Sequence, residues 1–186
     1  MVANLNTDSS VHGILVQSPA PKGVDELVIA SAISSSKDVD GFHPANLGKL
    51  VQGDASRLLP CTPSGVLMML EESGARLSGA KAIVLGRSRI VGMPMALMLA
   101  QHGVDATVTI AHSRTEDTAA LCRDADIVVA AIGRPHTVKA DWIKPGAFVV
   151  DVGISRAEDG GLAGDCLLYT SPSPRDQRGS RMPSSA

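Results

Sequence analysis

Ala82–Pro94, AIVLGRSRIVGMP, constrains this chain more than any other stretch, because an apolar run breaks at a glycine and reopens as a helix. Ala82–Leu85 supply a short buried strand, Gly86 lets the chain turn at little steric cost, and Gly92 allows close helix packing. Pro94 suits a first helical turn, where a missing N–H costs nothing. Strand, turn and helix in this order begin a nucleotide-binding unit, with free amides and the positive helix end facing an anion such as pyrophosphate. The spacing is G-x5-G, with Ser88 where the usual dinucleotide fingerprint has its middle glycine, so an ordinary strand-to-helix turn is the competing reading.

Ala106–Ile110, Ala125–Ala131 and Ala147–Val152 are further short β-rich runs separated by segments of helical composition. The alternation predicts an α/β fold, a Rossmann-like doubly wound parallel sheet with helices on both faces. A length of 186 residues with 44% hydrophobic residues suffices for one full core and part of a second. The net charge of −2, without basic runs interleaved with aromatics, argues against nucleic acid and anionic membranes as partners. No apolar stretch reaches the roughly 18 residues of a membrane span, and no basic region with an apolar segment opens the chain, so a cytoplasmic location is expected. Cys61, Cys122 and Cys166 are odd in number and widely spaced, which reads as reduced thiols. His12, His43, His102 and His136 fall at no metal-ligand or acid–base spacing, and no metal is expected.

Along the chain, Val11–Val16 is a strand candidate, left in extended form through Gln17-Ser18-Pro19-Ala20-Pro21. Asp25–Ile33 reads as a helix with Leu27, Val28 and Ile33 on a buried face. Ser34–Leu59 reads as loop, and Cys61–Ser64 as a helix start with Thr62 as N-cap and Pro63 at N1. From Cys166 onward Ser, Pro and Arg dominate without an apolar period, so 166–186 is expected to be disordered.

VHGILVQ, KDVDGFHPANLGKL, LPCTPSGV, GRSRIVGMPMALML, TVTIAHSRT, ADIVVAAIGRP and KPGAFVVDVGISR occur in this order. Over about Asn4–Asp165 the chain resembles the bifunctional methylenetetrahydrofolate dehydrogenase/cyclohydrolase family. The resemblance implies two α/β domains: part of a folate-binding domain over 1–62 and an NADP-binding Rossmann domain over 63–165. It also implies NADP-linked oxidation of 5,10-methylenetetrahydrofolate to the methenyl cation, its hydrolysis to 10-formyltetrahydrofolate, tetrahydrofolate derivatives as ligands, and a homodimer in the full-length enzyme. An unrelated shikimate-type dehydrogenase would explain Ala82–Pro94 but neither KDVDGF nor VHGILVQ.

Gly86, Arg87 and Ser88 match the family's nucleotide-binding turn, and a guanidinium and a hydroxyl suit phosphate; a solvated surface arginine is the plain alternative for Arg87. The second strand ends in Ala111-His112-Ser113-Arg114, without the acid that holds a ribose 2′-hydroxyl in NAD-selective units, so charge favours NADP. Ser113 matches a phosphate-contacting serine, Arg114 is either a phosphate partner or a plain helix-leading arginine, and His112 reads as structural. Ile154 matches a backbone contact to the cofactor, with Asp151 bracing its turn. On the folate side, Val16, Gln17 and Ser18 end the first strand candidate, and Gln17 matches a glutamine that contacts folate. Ser18 and Ala20 stand where the family usually has leucine. Asp40 matches the pterin-holding aspartate, since a carboxylate accepts paired hydrogen bonds from an aminopyrimidinone, and Asp38 reads as a turn acid.

The implied mechanism is direct hydride transfer, for which the protein supplies orientation and electrostatics. The family assigns water activation chiefly to a lysine in a Tyr-x-x-x-Lys segment that has no counterpart here, so no catalytic residue is assigned. The chain is therefore expected to be a fragment whose tail after Asp165 is foreign sequence. Two functions follow: the bifunctional enzyme, or a truncated chain that binds NADP without turnover.

Overall fold

The computed structural model describes residues 1–156 and 160–167. Helices α1 (Val2–Thr7), α2 (Glu26–Ala32), α3 (Pro44–Gln52) and α4 (Cys61–Glu72) precede strand β1 (Lys81–Leu85). Then follow α5 (Gly92–Leu99), β2 (Thr107–Ala111), α6 (Thr118–Asp124), β3 (Ile127–Ala130), β4 (Val138–Lys139) and β5 (Phe148–Asp151). The short strands β6 (Ser155–Arg156), β7 (Leu162–Ala163) and β8 (Cys166–Leu167) complete the order. The chain divides into two compact units, one of Met1–Ala80 and Arg87–Val108, the other of Lys81–Gly86 and Thr109–Ala186.

The second unit is built around the sheet β2-β1-β3-β5. β1 and β3 pair in parallel with Val84 opposite Val129, and β3 pairs in parallel with β5 through Val129 opposite Val150. As inner strands they are covered on both faces, which is why they read as unbroken apolar runs rather than alternating ones. Ile83, Leu85, Val128 and Ala130 gather with Cys122 of α6 and Val138 into one core. The predicted α/β parallel sheet is thus present, each of its strands within two residues of its sequence bounds.

Helices α3, α4 and α5 of the first unit pack together, and Leu50, Val66, Leu70, Met95 and Leu99 form its dry interior. Here several expectations fail. Val11–Val16 makes a single bridge, Ile14 to Asp38, because the partner chain turns away at once through the Gly41 N–H to Asp38 carbonyl bond. Ser34–Leu59 is not all loop, since α3 occupies Pro44–Gln52. Its start is set by Pro44 in the first turn and by His43, whose Nδ1 accepts from the Ala45 N–H. Gly53, left-handed at φ 71°, ends it. The helix expected at Cys61–Ser64 starts two residues earlier than predicted, with Pro60 rather than Thr62 at the cap. Pro63 then falls in the first turn, where its missing N–H still goes unneeded. Leu27 and Val28, expected to be buried, are 57% and 65% exposed, whereas Ile33 is buried as expected and lines an inner surface with Ile29, one helical turn before it.

Of the tail, Cys166 and Leu167 are ordered, contrary to disorder beginning at Cys166: β8 pairs in parallel with β4. The expectation for 168–186 lies outside the described residues. Among the described residues no helix is long and apolar enough to cross a membrane, and no group of His, Cys, Asp or Glu could hold a metal ion. The three cysteines are free. Burial pushes the Cys122 thiol up to about 11, so it packs as a small apolar side chain.

Candidate active site

Asp38 organises the loop that carries Asp40. Its buried carboxylate accepts from the His43 N–H at 2.8 Å and from Nδ2 of Asn46 at 2.9 Å, and Asn46, equally buried, also donates to the Ser35 carbonyl. Gly41 closes the turn at φ 69°, with the Leu59–Pro60 backbone where a Cβ would sit. Asp38 is therefore the structural acid that its position suggested. Asp40 is half-buried, and among the described residues no group donates to its carboxylate. Burial first, and the neighbouring Asp38 charge second, raise its pKa above the ordinary aspartate value.

Asp40 lines a pocket of the first unit together with Val16, Gln17, Ser18, Phe42 and Ile33. The four expected folate-side residues are thus brought together. Gln17 is exposed and its Nε2 donates to the Ser18 carbonyl at 3.0 Å, a local bond that a ligand can replace. Ser18 is differently engaged: its hydroxyl donates to Oε1 of Glu26 at 3.0 Å, and the same oxygen accepts from the Ala20 N–H at 2.9 Å. The other Glu26 oxygen takes a 2.6 Å bond from Arg89. These bonds, the Ala20 amide foremost, hold the Glu26 carboxyl below the usual glutamate range. Glu26 and Arg89 both line the pocket and neither was singled out from sequence. Glu26 is one of many first-turn acids, and Arg89 sits beside the Gly86–Ser88 turn that drew attention instead.

In the turn after β1, Gly86 has φ 116°, and a Cβ there would run into the carbonyl oxygen of Ala131. Gly86→Ala combines a left-handed strain with a backbone clash at the end of a central strand, so it is expected to destabilise the fold by about 2 kcal/mol, read by denaturant unfolding. Arg87 is exposed and ion-free among the described residues. Ser88 is partly committed to the helix: its hydroxyl oxygen accepts from the N–H groups of Val91 at 3.1 Å and Gly92 at 3.3 Å, and its carbonyl from that of Met93. Two of the amides expected to face an anion are therefore capped, and the Ser88 proton remains free to donate outward.

Ser113 follows β2 on an exposed turn held by the His112 N–H to Thr115 Oγ1 and the Arg114 N–H to His112 Nδ1. His112 thus has the structural role read for it. Ile154, 80% exposed, follows β5. Asp151 braces that turn, accepting from the N–H groups of Gly153, Asp165 and Cys166. Gly86, Ser113 and Ile154 all lie just past carboxyl ends of strands in one parallel sheet, the edge at which such sheets bind ligands. The residues directly after β2, His112-Ser113-Arg114, include no acid, the first being Glu116, so this turn carries no adjacent carboxylate to oppose a 2′-phosphate.

Comparison with known proteins gives matches at both ends of the chain. The model of the tetrahydrofolate dehydrogenase/cyclohydrolase NAD(P)-binding domain matches residues 60–171, and that of the catalytic domain matches 1–40. The bifunctional protein FolD of Magnetococcus marinus is 58% identical over 166 residues, covering 89% of this chain and 57% of its own length. That of Acidiphilium cryptum is 54% identical over 165 residues, covering 89% and 58%. The crystal structure of the bifunctional FolD enzyme from Campylobacter jejuni superposes with TM-score 0.85 at 46% identity, over 89% of this chain and 58% of that one. The Trypanosoma brucei FolD complexed with NADP cofactor and inhibitor gives 0.81 at 40%, over 89% and 58%. The chain spans a little over half the length of these relatives.

Proposed function

Because the chain belongs to the tetrahydrofolate dehydrogenase/cyclohydrolase family, we propose that its protein oxidises 5,10-methylenetetrahydrofolate with NADP and hydrolyses the methenyl product to 10-formyltetrahydrofolate. The observation that carries this reading is the placement in one pocket of Gln17 and of Asp40, whose carboxylate has no donor among the described residues. Asp40 accepts the paired N–H groups of the pterin ring, and Gln17 gives up its bond to Ser18 to orient the folate. Gly86 admits the dinucleotide backbone, Arg87 and the free proton of Ser88 hold phosphate, Ser113 donates to the 2′-phosphate, and the Ile154 backbone contacts the cofactor. A bound nicotinamide supplies the hydride acceptor. On this reading 1–62 serves folate and 63–165 serves NADP, the full-length enzyme is a homodimer, and its location is cytoplasmic, in keeping with three unpaired thiols.

A second reading is a chain that binds NADP without turnover. It is favoured by the pocket's charged groups, which are Glu26, Asp38, Asp40 and Arg89: no lysine is among them to serve proton transfer. NADP reduction with 5,10-methylenetetrahydrofolate, run beside direct NADP binding, separates the two. Turnover supports the first, binding alone the second, and absence of binding removes both. Arg87→Ala is expected to weaken NADP binding about tenfold, a typical loss for one charge-assisted hydrogen bond, and NAD binding less. Equal affinities before and after would remove the charge argument for cofactor choice.

A further inference from the structure

Glu26 joins two segments to which the proposed function gives different ligands. One oxygen fastens the Ser18–Ala20 turn, beside Gln17, through the Ser18 hydroxyl and the Ala20 N–H. The other fastens Arg89, two residues after Arg87 and next to Ser88, in the turn assigned to the dinucleotide. We propose that the Glu26–Arg89 pair is a positioning bridge through which occupation of the Arg87–Ser88 turn strengthens folate binding beside Gln17. The inference rests on the functional reading above and adds to it two residues and a coupling.

The pair is partly exposed, at 32% for the Glu26 side chain and 40% for Arg89. Exposed ion pairs contribute little to stability, so a purely structural account leaves the pair with little to do. Its geometry is more particular than a surface contact. All three bonds to the carboxylate are 3.0 Å or shorter, and both partners line the pocket. In the free protein Arg89 belongs to a turn whose neighbour Arg87 has no partner among the described residues. A phosphate bound at Arg87 and Ser88 orders that turn, which fixes Arg89, which in turn holds Glu26 and the Ser18–Ala20 turn in the conformation shown. The ordering cost of the folate-side turn is then met by the first ligand, and linkage requires the reverse effect to be equal.

Glu26→Gln tests this selectively, because the amide oxygen still accepts from Ser18 and Ala20 while the amide nitrogen cannot accept from Arg89. The probes are NADP+ and the unreactive 5-formyltetrahydrofolate, each titrated calorimetrically alone and in the presence of the other. The native chain is expected to bind the folate about fivefold or more tightly when NADP+ is bound. Glu26→Gln and Arg89→Met are each expected to reduce that ratio to near one, and Arg89→Lys, which keeps a charged donor, to recover part of it. A thermal melt of Glu26→Gln within a few degrees of native identifies the loss as coupling rather than unfolding. If both probes bind but the native ratio is already one, or if it survives in both Glu26→Gln and Arg89→Met, the bridge inference is overturned while the functional reading stands. If neither probe binds the native chain, the functional reading has failed and the inference with it.

Discussion

Asp40→Asn is expected to lower folate affinity by about a hundredfold or more while leaving the melting temperature at pH 7 equal to or above that of the native chain. The two effects have opposite signs for one physical reason. Asp40 lies in a pocket, half-buried, beside the buried Asp38, and among the described residues nothing donates to its carboxylate. Its charge is therefore held at a disadvantage that a ligand with two adjacent N–H donors removes. A pair of charge-assisted hydrogen bonds is worth roughly 3 kcal/mol, or about two orders of magnitude in affinity. An asparagine keeps the shape but offers one acceptor and one donor to a partner with two donors, so one contact turns repulsive.

The sign of the pH dependence follows from the raised pKa. A carboxyl whose folded pKa exceeds its unfolded value favours the fold when protonated, so its contribution is present below the unfolded value near 3.8 and is lost as pH rises through the folded one. At pH 7 the native chain carries that penalty and Asp40→Asn does not. Folate affinity runs the other way, falling as pH drops through the raised pKa because the protonated acid loses an acceptor. Calorimetric folate titration and a melting curve on the same two proteins test both signs. Unchanged folate affinity in Asp40→Asn would sink the pterin-anchor role, and a clear drop in melting temperature would show that Asp40 is structural instead.

The sheet was legible in the sequence because its inner strands have no exposed face: Ala82–Leu85 and Ile127–Ala130 are apolar at every position, a pattern that only a doubly covered strand requires. The first unit was less legible for the opposite reason. α3 was missed although Leu47, Leu50 and Val51 stand at i, i+3 and i+4 and Pro44 and Gly53 at its ends are ordinary start and stop signals; it is only nine residues long and buries just Asn46 and Leu50. Asn46 hid a further dependence, since its side chain serves Asp38 across eight residues of chain. In α2, Leu27 and Val28 misled because hydrophobicity was read without knowing which face met the protein. The folate-side cluster Gln17, Ser18 and Asp40 came from motif resemblance. No local rule places Gln17 near Asp40, because a single β-bridge between Ile14 and Asp38 brings their segments together. The Glu26–Arg89 bond, between residues 63 apart, left no sequence signal at all.

Asp165→Ala is expected to cost about 4 kcal/mol of stability, the largest loss among single changes in the second unit, read as a fall in the denaturant midpoint. Asp165 is fully buried, and its carboxylate takes three consecutive backbone amides: Ile132 at 2.6 Å and Gly133 at 3.0 Å on one oxygen, Arg134 at 2.7 Å on the other. Removing it takes the acceptor from all three donors after a central strand, and each such part-buried bond to a charged acceptor is worth about 1–2 kcal/mol. Asp165→Asn is expected to recover only part of the loss, since its amide nitrogen faces a donor. The neighbouring glycines fit the same construction: a Cβ on Gly153 would meet the Asp165 carboxylate, and one on Gly164 the Asp151 carboxylate. Asp151 completes it by accepting from the Gly153, Asp165 and Cys166 amides, so the turn leading to Ile154 is held by the same pair of acids that holds the turn after β3. NADP affinity should therefore fall with stability in Asp165→Ala, and Gly153→Ala should weaken NADP by displacing the Ile154 turn with a smaller stability loss. If Asp165→Ala unfolds at the native midpoint, water must reach these amides, and the carboxylate is a convenience of packing rather than the clasp of this part of the fold.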